Sequence, residues 1–342
     1  MKISLALPVY NGANYIREAL ESVILQGKSL DEIVVSDNCS TDETPQIVQE
    51  FAARDSRVRL ERSEVFLEIA DNMSRAIRLC RNEWIQLLCH DDLLRPGAIE
   101  ALAQILTEIK DTDCALVAHQ PGHLFSDNHT YRHINNQGTV ETREKLMSSL
   151  VESNPVYELS GPDIKLRSAL SMGKMPYLPA ITTAALRRSA FEKLGGFDRR
   201  WVHFDVFFWI YLIRDFSYVE VSSHWTLARV HSQQVAVLSR KNQRSYRDFR
   251  DFYQEFLANS GKRYQMSPLA YLKIKLKPIS QASAPLVVAL YKKNYPFFLK
   301  HLISLPFWIW PTVIFLTFVN YFRTGKRNKE LWKKVSPLIT FE

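Results

Sequence analysis

The sequence predicts an α/β fold with a mostly parallel sheet covered on both faces, and three observations carry that prediction. Short apolar strands recur through the first 120 residues, amphipathic helices alternate with them, and polar groups follow three of the strands on what the alternation makes one sheet edge. Lys2 to Val9 is the first apolar run, closed by Pro8. Asn11 to Gln26 reads as a helix, with Ile16, Ala19, Leu20, Val23 and Ile24 on one face. Glu32 to Ser36 is the second strand, and Ser40-Thr41-Asp42-Glu43 has the spacing of a capping box for a helix to about Ala53. Val58 to Arg62 is the third strand. Ile69, Met73, Ile77 and Cys80 keep helical spacing up to a fourth strand beginning at Trp84. Ile99, Leu102, Ile105, Leu106 and Ile109 mark a further helix, and Cys114 to Ala118 a fifth strand.

The fourth strand, Trp84-Ile85-Gln86-Leu87-Leu88-Cys89-His90-Asp91-Asp92, ends in two adjacent carboxylates. Ligands of open α/β sheets bind outside the C-terminal ends of the strands. Hard oxygen donors at that rim suit Mg²⁺ or Mn²⁺ together with a polyphosphate. The plainer reading is that one Asp caps the helix opened by Pro96-Gly97. Tyr10-Asn11-Gly12 follows the first strand and Asp37-Asn38 the second, and each reads alone as a turn. Three such groups on one rim point to a single binding crevice.

LPVYNGANYIREALESVILQ, EIVVSDNCSTDET and WIQLLCHDDLLRPGAIEAL together resemble the family 2 glycosyltransferases of the GT-A fold, especially bacterial members that build surface polysaccharides. The resemblance runs through residues 1–110 and resumes at LRRSAFEKLGGFD, residues 186–198. It implies a Rossmann-like mixed sheet, a nucleoside-diphosphate sugar donor, a divalent metal (Mg²⁺ or Mn²⁺) and net inversion at the anomeric carbon. It places Pro8 and Tyr10 along the nucleobase and ribose, Asn11 and Asn72 near the donor, and Asp37 as an acceptor from the base. Asp91 becomes the metal ligand and Asp92 its support or a holder of the donor. The family motif has Asp where this chain has Cys89, which removes one expected ribose or metal contact.

Transfer to a sugar hydroxyl needs a base, because the hydroxyl is a poor nucleophile until its proton is taken. In the family that base lies just beyond a Gly-Gly-Phe-Asp turn. Gly195-Gly196-Phe197-Asp198 is followed here by Phe204-Asp205 and Trp209, so Asp205 is the expected base, its pKa raised by apolar neighbours. The plainer role for Asp205 is a helix N-cap. His231 stands where relatives carry a His near the metal or diphosphate.

His119, His123, His129 and His133 suggest zinc, yet the intervening Pro121-Gly122 and Asp127-Asn128 are turn signals, and the stretch reads as an exposed hairpin. Cysteines 39, 80, 89 and 114 lack metal or redox spacing and read as reduced, which with the absence of a signal-peptide pattern implies a cytoplasmic location.

Leu302 to Phe322 carries no charge, and at ~1.5 Å per residue it just reaches across a bilayer core. Lysines and arginines flank it on both sides, and Pro306 and Pro311 interrupt a straight helix. A re-entrant or in-plane element on the inner face of the plasma membrane fits those constraints, as does a buried helix or oligomer contact. Residues 240–256 read as a basic, aromatic, amphipathic helix of the same extension, which either rests on the membrane or packs on the catalytic domain. The formal charge of +8 then reflects a membrane surface rather than nucleic acid, for which no motif is present.

The expected organisation is a nucleotide-sugar half (1–120), an acceptor and catalytic-base half (121–238) and a helical, membrane-associating C-terminal extension (239–342). A polyprenyl-diphosphate-linked saccharide is the expected acceptor. The rival readings are a nucleotidyltransferase, for which only Asn11-Gly12 stands where a glycine-rich phosphate loop belongs, and a non-catalytic nucleotide- or glycan-binding membrane adaptor.

Overall fold

The computed structural model describes residues 1–119, 122–127, 130–134, 140–152, 154–171 and 178–230, with helical positions between 248 and 258. The chain divides into two units, residues 1–166 with 176–230 and residues 167–175 with 231–342. In the second unit, buried Phe252 and Phe256 stack with ring centroids 5.9 Å apart. His231 and the apolar stretch 302–322 lie outside the described residues. Among the described residues, no helix is long and apolar enough to cross a membrane.

The first unit opens with β1 (Ile3–Val9), α1 (Ile16–Ile24), β2 (Leu30–Asp37), α2 (Thr44–Ala52), β3 (Val58–Arg62), α3 (Ile69–Leu79) and β4 (Trp84–Leu87). It continues with β5 (Leu93–Leu94), α4 (Ala98–Glu108), β6 (Leu116–His119), β7 (Gly122–Asp127), β8 (Thr130–Ile134), β9 (Val140–Thr142) and α5 (Arg143–Ser148). After these come β10 (Tyr157–Ser160), α6 (Ile164–Ser171, of which residues 167–171 belong to the second unit), a 3₁₀ turn (Ile181–Thr183), β11 (Ala184–Arg187), α7 (Arg188–Lys193), α8 (Phe204–Asp215), β12 (Tyr218–Val221) and β13 (Thr226–Val230).

Eight strands form one sheet in the order β10-β12-β6-β11-β4-β1-β2-β3. β1 is buried along its whole length and pairs in parallel with both β2 and β4. Because β2 and β3 lie to one side of β1 and β4 to the other, the strand order reverses there, opening a crevice at the C-terminal ends of β1 and β4. Ile16, Leu20 and Val23 of α1 and Ile99, Leu102 and Leu106 of α4 join the core with Leu5, Leu7, Ile33 and Val35 of the strands. The sheet is mixed, as the family resemblance implies: β3, β2, β1 and β4 pair in parallel, as expected for the first half, whereas β11 runs antiparallel between β4 and β6 and β10 runs antiparallel to β12. A second sheet has the order β5-β13-β7-β8-β9. β7 and β8 make the hairpin expected around the histidines. His119 is buried against Trp225, with ring centroids 5.3 Å apart, and the side chains of His123, His129 and His133 lie outside the described residues.

Two local expectations change. α1 begins at Ile16 rather than Asn11, because the preceding N–H groups bond across to the β2–α2 loop: Asn11 to Ser40 Oγ (2.9 Å), Gly12 to Thr44 Oγ1 (2.9 Å) and Ala13 to Asp42 Oδ2 (3.0 Å). The capping box does not form either. α2 starts at Thr44 with Glu43 as an N-cap that makes no side-chain bond, and Asp42 instead accepts the N–H groups of Ala13 and Thr44.

Candidate active site

β4 delivers the acidic loop to the crevice. Beyond Leu87 the chain turns, with the Asp92 N–H donating to the Cys89 carbonyl at 3.1 Å. Cys89 and Asp91 stay half-buried while Asp92 is buried. The next two residues form β5, which pairs antiparallel with β13 and thereby brings Arg229 onto the loop. The Arg229 N–H donates to Asp92 Oδ1 (2.9 Å), its Nε to the Asp91 carbonyl (2.8 Å) and its Nη2 to Glu18 Oε2 (2.9 Å). Its guanidinium lies over the Tyr15 ring at 5.0 Å. Glu18 also receives Arg143, at 3.4 Å. Burial, followed by the neighbouring Asp91 charge, pushes the Asp92 carboxyl well above the usual carboxylate range.

The opposing acid comes from α8. Gly195 and Gly196 both take positive φ (85° and 83°), ending α7 in a conformation that L side chains rarely adopt. A Cβ at Gly196 would stand 2.9 Å from Arg78 Nη2 and 3.2 Å from the Phe191 ring, so the turn also needs glycine for space. The turn throws Phe197 into a cluster with Phe191, Phe204, Phe208 and Trp209. α8 then starts with His203 as its N-cap, which puts Asp205 within the first turn rather than at the cap. Burial raises the Asp205 carboxyl to about 6, against smaller opposing effects from the N–H groups of Val206 and Asp205 itself.

The Cys89 thiol is pushed well up by burial and then by the charges of Asp92, Asp91 and Asp205. The Cys89 sulfur and carboxylate oxygens of Asp91 and Asp92 lie within 4.8 Å of one another. Two carboxylates and a thiol at that spacing fit a divalent ion.

The side of the crevice formed by β1, β2 and α3 is more fully tied together. Asp37 is entirely buried, accepting from Arg62 Nε (2.9 Å) and the Ser40 N–H (3.3 Å). Asn72 is buried with its side chain on Ser36, accepting from the hydroxyl (2.8 Å) and donating to the carbonyl (3.1 Å). Asn11, at φ 47°, accepts the Thr41 N–H through Oδ1 at 2.9 Å. Pro8 is buried in β1 opposite Ser36, and Tyr10 is exposed at the strand end, edge-on to Phe66 at 5.0 Å. Gly12 admits no side chain, because a Cβ would meet Val9 at 2.5 Å and the His90 ring at 2.6 Å. That close approach locks the β1 loop against the acidic loop.

Arg229, Glu18 and Arg62 were not singled out from the sequence. A charged residue inside the apolar run of β13 was the signal for Arg229. Opposite charges at paired strand ends, with Asp37 in register with Arg62, were the signal for the other contact.

A mixed sheet with an acidic rim at its parallel strand ends is the architecture of the GT-A glycosyltransferases. The chain belongs to glycosyl transferase family 2, whose model matches residues 4–195, more than half of its length. Chondroitin synthase of Escherichia coli is 30% identical over 153 residues, covering 44% of this chain and 21% of that protein. TarS 1–349 of S. aureus, solved with UDP-GlcNAc, shares the fold with a TM-score of 0.55 at 16% identity, over 96% of this chain and 93% of that one. A mannosyltransferase of Pyrobaculum calidifontis, solved with GDP-Man and Mn²⁺, superposes with a TM-score of 0.54 at 17% identity, over 98% of this chain and 84% of that one. The matched stretch spans less than half the length of the first curated relatives.

Proposed function

We propose that the protein is an inverting glycosyltransferase that moves a sugar from a nucleoside-diphosphate donor to a hydroxyl of a glycan acceptor, in the synthesis of a bacterial surface polysaccharide. The observation that carries this reading is the grouping of the Cys89 sulfur with carboxylate oxygens of Asp91 and Asp92, within 4.8 Å of one another, at the end of β4. The donor lies across the strand ends, its base and ribose along Pro8 and Tyr10, with Asp37 and Arg62 beneath them and Asn11 and Asn72 holding the surrounding loops. Support for the donor class comes from the fold neighbours, which carry UDP-GlcNAc or GDP-Man.

Asp91 would hold a divalent cation, Mg²⁺ or Mn²⁺, which would offset the charge of the departing diphosphate. Asp92, fixed by Arg229, sets the position of that loop, and His231 is assigned to the same end of the site from the sequence. Asp205 takes the proton of the acceptor hydroxyl as its oxygen attacks the anomeric carbon from the face opposite the leaving group. A base titrating at about 6 is ionised at neutral pH yet more basic than an ordinary carboxylate, which suits it to that step. One direct attack gives inversion.

The uncharged stretch 302–322 with its basic flanks supports a site on the inner face of the plasma membrane and a polyprenyl-diphosphate-linked saccharide acceptor. The test is to incubate the full chain with UDP-, GDP-, dTDP- and CDP-sugars and lipid-linked or free saccharides, and to read the product anomer by NMR. Transfer from an α-linked donor giving a β-glycoside on the lipid-linked acceptor is the expected result. Retained configuration, or nucleotide-sugar synthesis from a sugar phosphate, overturns it.

A further inference from the structure

The carboxylate rim contains a soft atom among hard ones. Three of the four thiols are turned to backbone carbonyls: Cys39 to Ser63 (3.0 Å), Cys80 to Ala76 (3.3 Å) and Cys114 to Leu116 (3.4 Å). Cys89 differs. Its sulfur is grouped with carboxylate oxygens of Asp91 and Asp92, all three donor atoms within 4.8 Å of one another. Bond lengths of about 2.0–2.3 Å at a tetrahedral ion set donors about 3.3–3.8 Å apart, so a single cation closes this set with donor movements of up to about 1 Å.

We propose that Cys89 is itself a metal ligand, and that its sulfur makes the site select thiophilic divalent cations of the Zn²⁺, Co²⁺ and Cd²⁺ class over Mg²⁺. Mg²⁺ favours an all-oxygen octahedron and gains little from sulfur, whereas thiolate strongly favours the softer ions. On binding, the S–H bond breaks, the S–metal bond forms and the proton leaves to solvent, with no oxidant or reductant involved. The resulting thiolate and two carboxylates face the ion, while the buried Arg229 holds the loop from behind through the Asp91 carbonyl and Asp92 Oδ1. Geometry, rather than charge alone, is what distinguishes this thiol: Asp91 and Cys89 are half-buried at the crevice, and Asp92 is anchored beneath them.

The inference rests on the donor-site reading, and its test separates the two. The full chain is titrated with Cd²⁺ and with Co²⁺ while the ultraviolet thiolate-to-metal charge-transfer absorption is followed, and Mg²⁺ is then added as competitor. The expected result is a band saturating at one ion per chain, lost in Cys89→Ser and kept in Cys39→Ser. Cd²⁺ affinity falls about tenfold or more in Cys89→Ser, while Mg²⁺ affinity hardly changes. No band in the unmodified chain, or a band that survives Cys89→Ser, overturns the proposal. A chain that shows the Cys89-dependent band but transfers sugar from no donor upholds the metal assignment and removes the glycosyltransferase reading. Transfer without the band removes the metal assignment alone.

Discussion

Arg229 donates its backbone N–H to Asp92 Oδ1 at 2.9 Å and its Nε to the carbonyl of Asp91 at 2.8 Å, so one buried residue of β13 fixes both members of the carboxylate pair. The remaining end of its guanidinium is paired with Glu18 of α1. Lysine keeps the backbone donor to Asp92 but cannot make the guanidinium fork to the Asp91 carbonyl and Glu18. Arg229→Lys is therefore expected to weaken divalent-metal binding about 10- to 100-fold, as loss of a group orienting metal ligands does, with a cooperative fold retained. Calorimetric titration with Mn²⁺ checks this.

The Asp205 carboxyl, raised to about 6 by burial, sets two pH dependences. As a base it must be ionised, so kcat/KM is expected to rise about tenfold per pH unit below pH 6 and to level off above it. For stability the sign is opposite. The folded-state pKa lies above the unfolded value, so this group's contribution is fully present below about pH 4 and is lost as pH rises through 6. Asp205→Asn is then expected to be more stable than the unmodified chain at pH 7, by about 1–3 kcal/mol, and to lose that margin at pH 4. Urea unfolding at the two pH values measures it.

The turn that aims Asp205 depends on glycine. Gly196→Ala forces a Cβ into positive-φ backbone and to within 2.9 Å of Arg78 Nη2. A destabilisation of about 1–3 kcal/mol is expected. Phe197→Ala, which empties the centre of the aromatic cluster, is expected to cost about 3–5 kcal/mol. Thermal melts of both variants give the comparison, and the activity loss of Gly196→Ala is expected to exceed its loss of folded protein.

Arg62→Ala leaves the fully buried Asp37 carboxylate without its guanidinium. The Arg62 side chain is 51% exposed, so the effect on stability is discounted to about 1 kcal/mol. The larger effect is expected on the donor, as a several-fold rise in its KM with kcat nearly unchanged. Steady-state kinetics against donor concentration distinguishes the two parameters.

The alternation of apolar strands and amphipathic helices made the first half of the sheet readable, because Ile3–Val9 is a nearly continuous apolar run and Val58–Arg62 alternates apolar with charged residues. The reversed β11 was not readable, since Ala184–Arg187 is four residues long and carries no periodicity that states its direction. In the site, Asp91 and Asp92 stood out as carboxylates at the end of an apolar strand, and Asp205 through the resemblance that begins at the Gly195–Asp198 turn. Arg229 did not, because its role comes from the pairing of β13 with the two-residue β5, and so short a strand leaves no trace in the sequence. The capping box at Ser40–Glu43 misled for a related reason: Ser40 serves the neighbouring β1 loop, and Asp42 divides its carboxylate between Ala13 of that loop and Thr44 of its own helix.

The central claim is that Asp205 takes the acceptor proton at a donor site built on Asp91 and Asp92. The most direct measurement pairs single-turnover transfer with calorimetric donor binding for Asp205→Asn in the full chain. The account predicts transfer reduced about 10²- to 10⁴-fold with donor affinity unchanged. Transfer at the unmodified rate contradicts it.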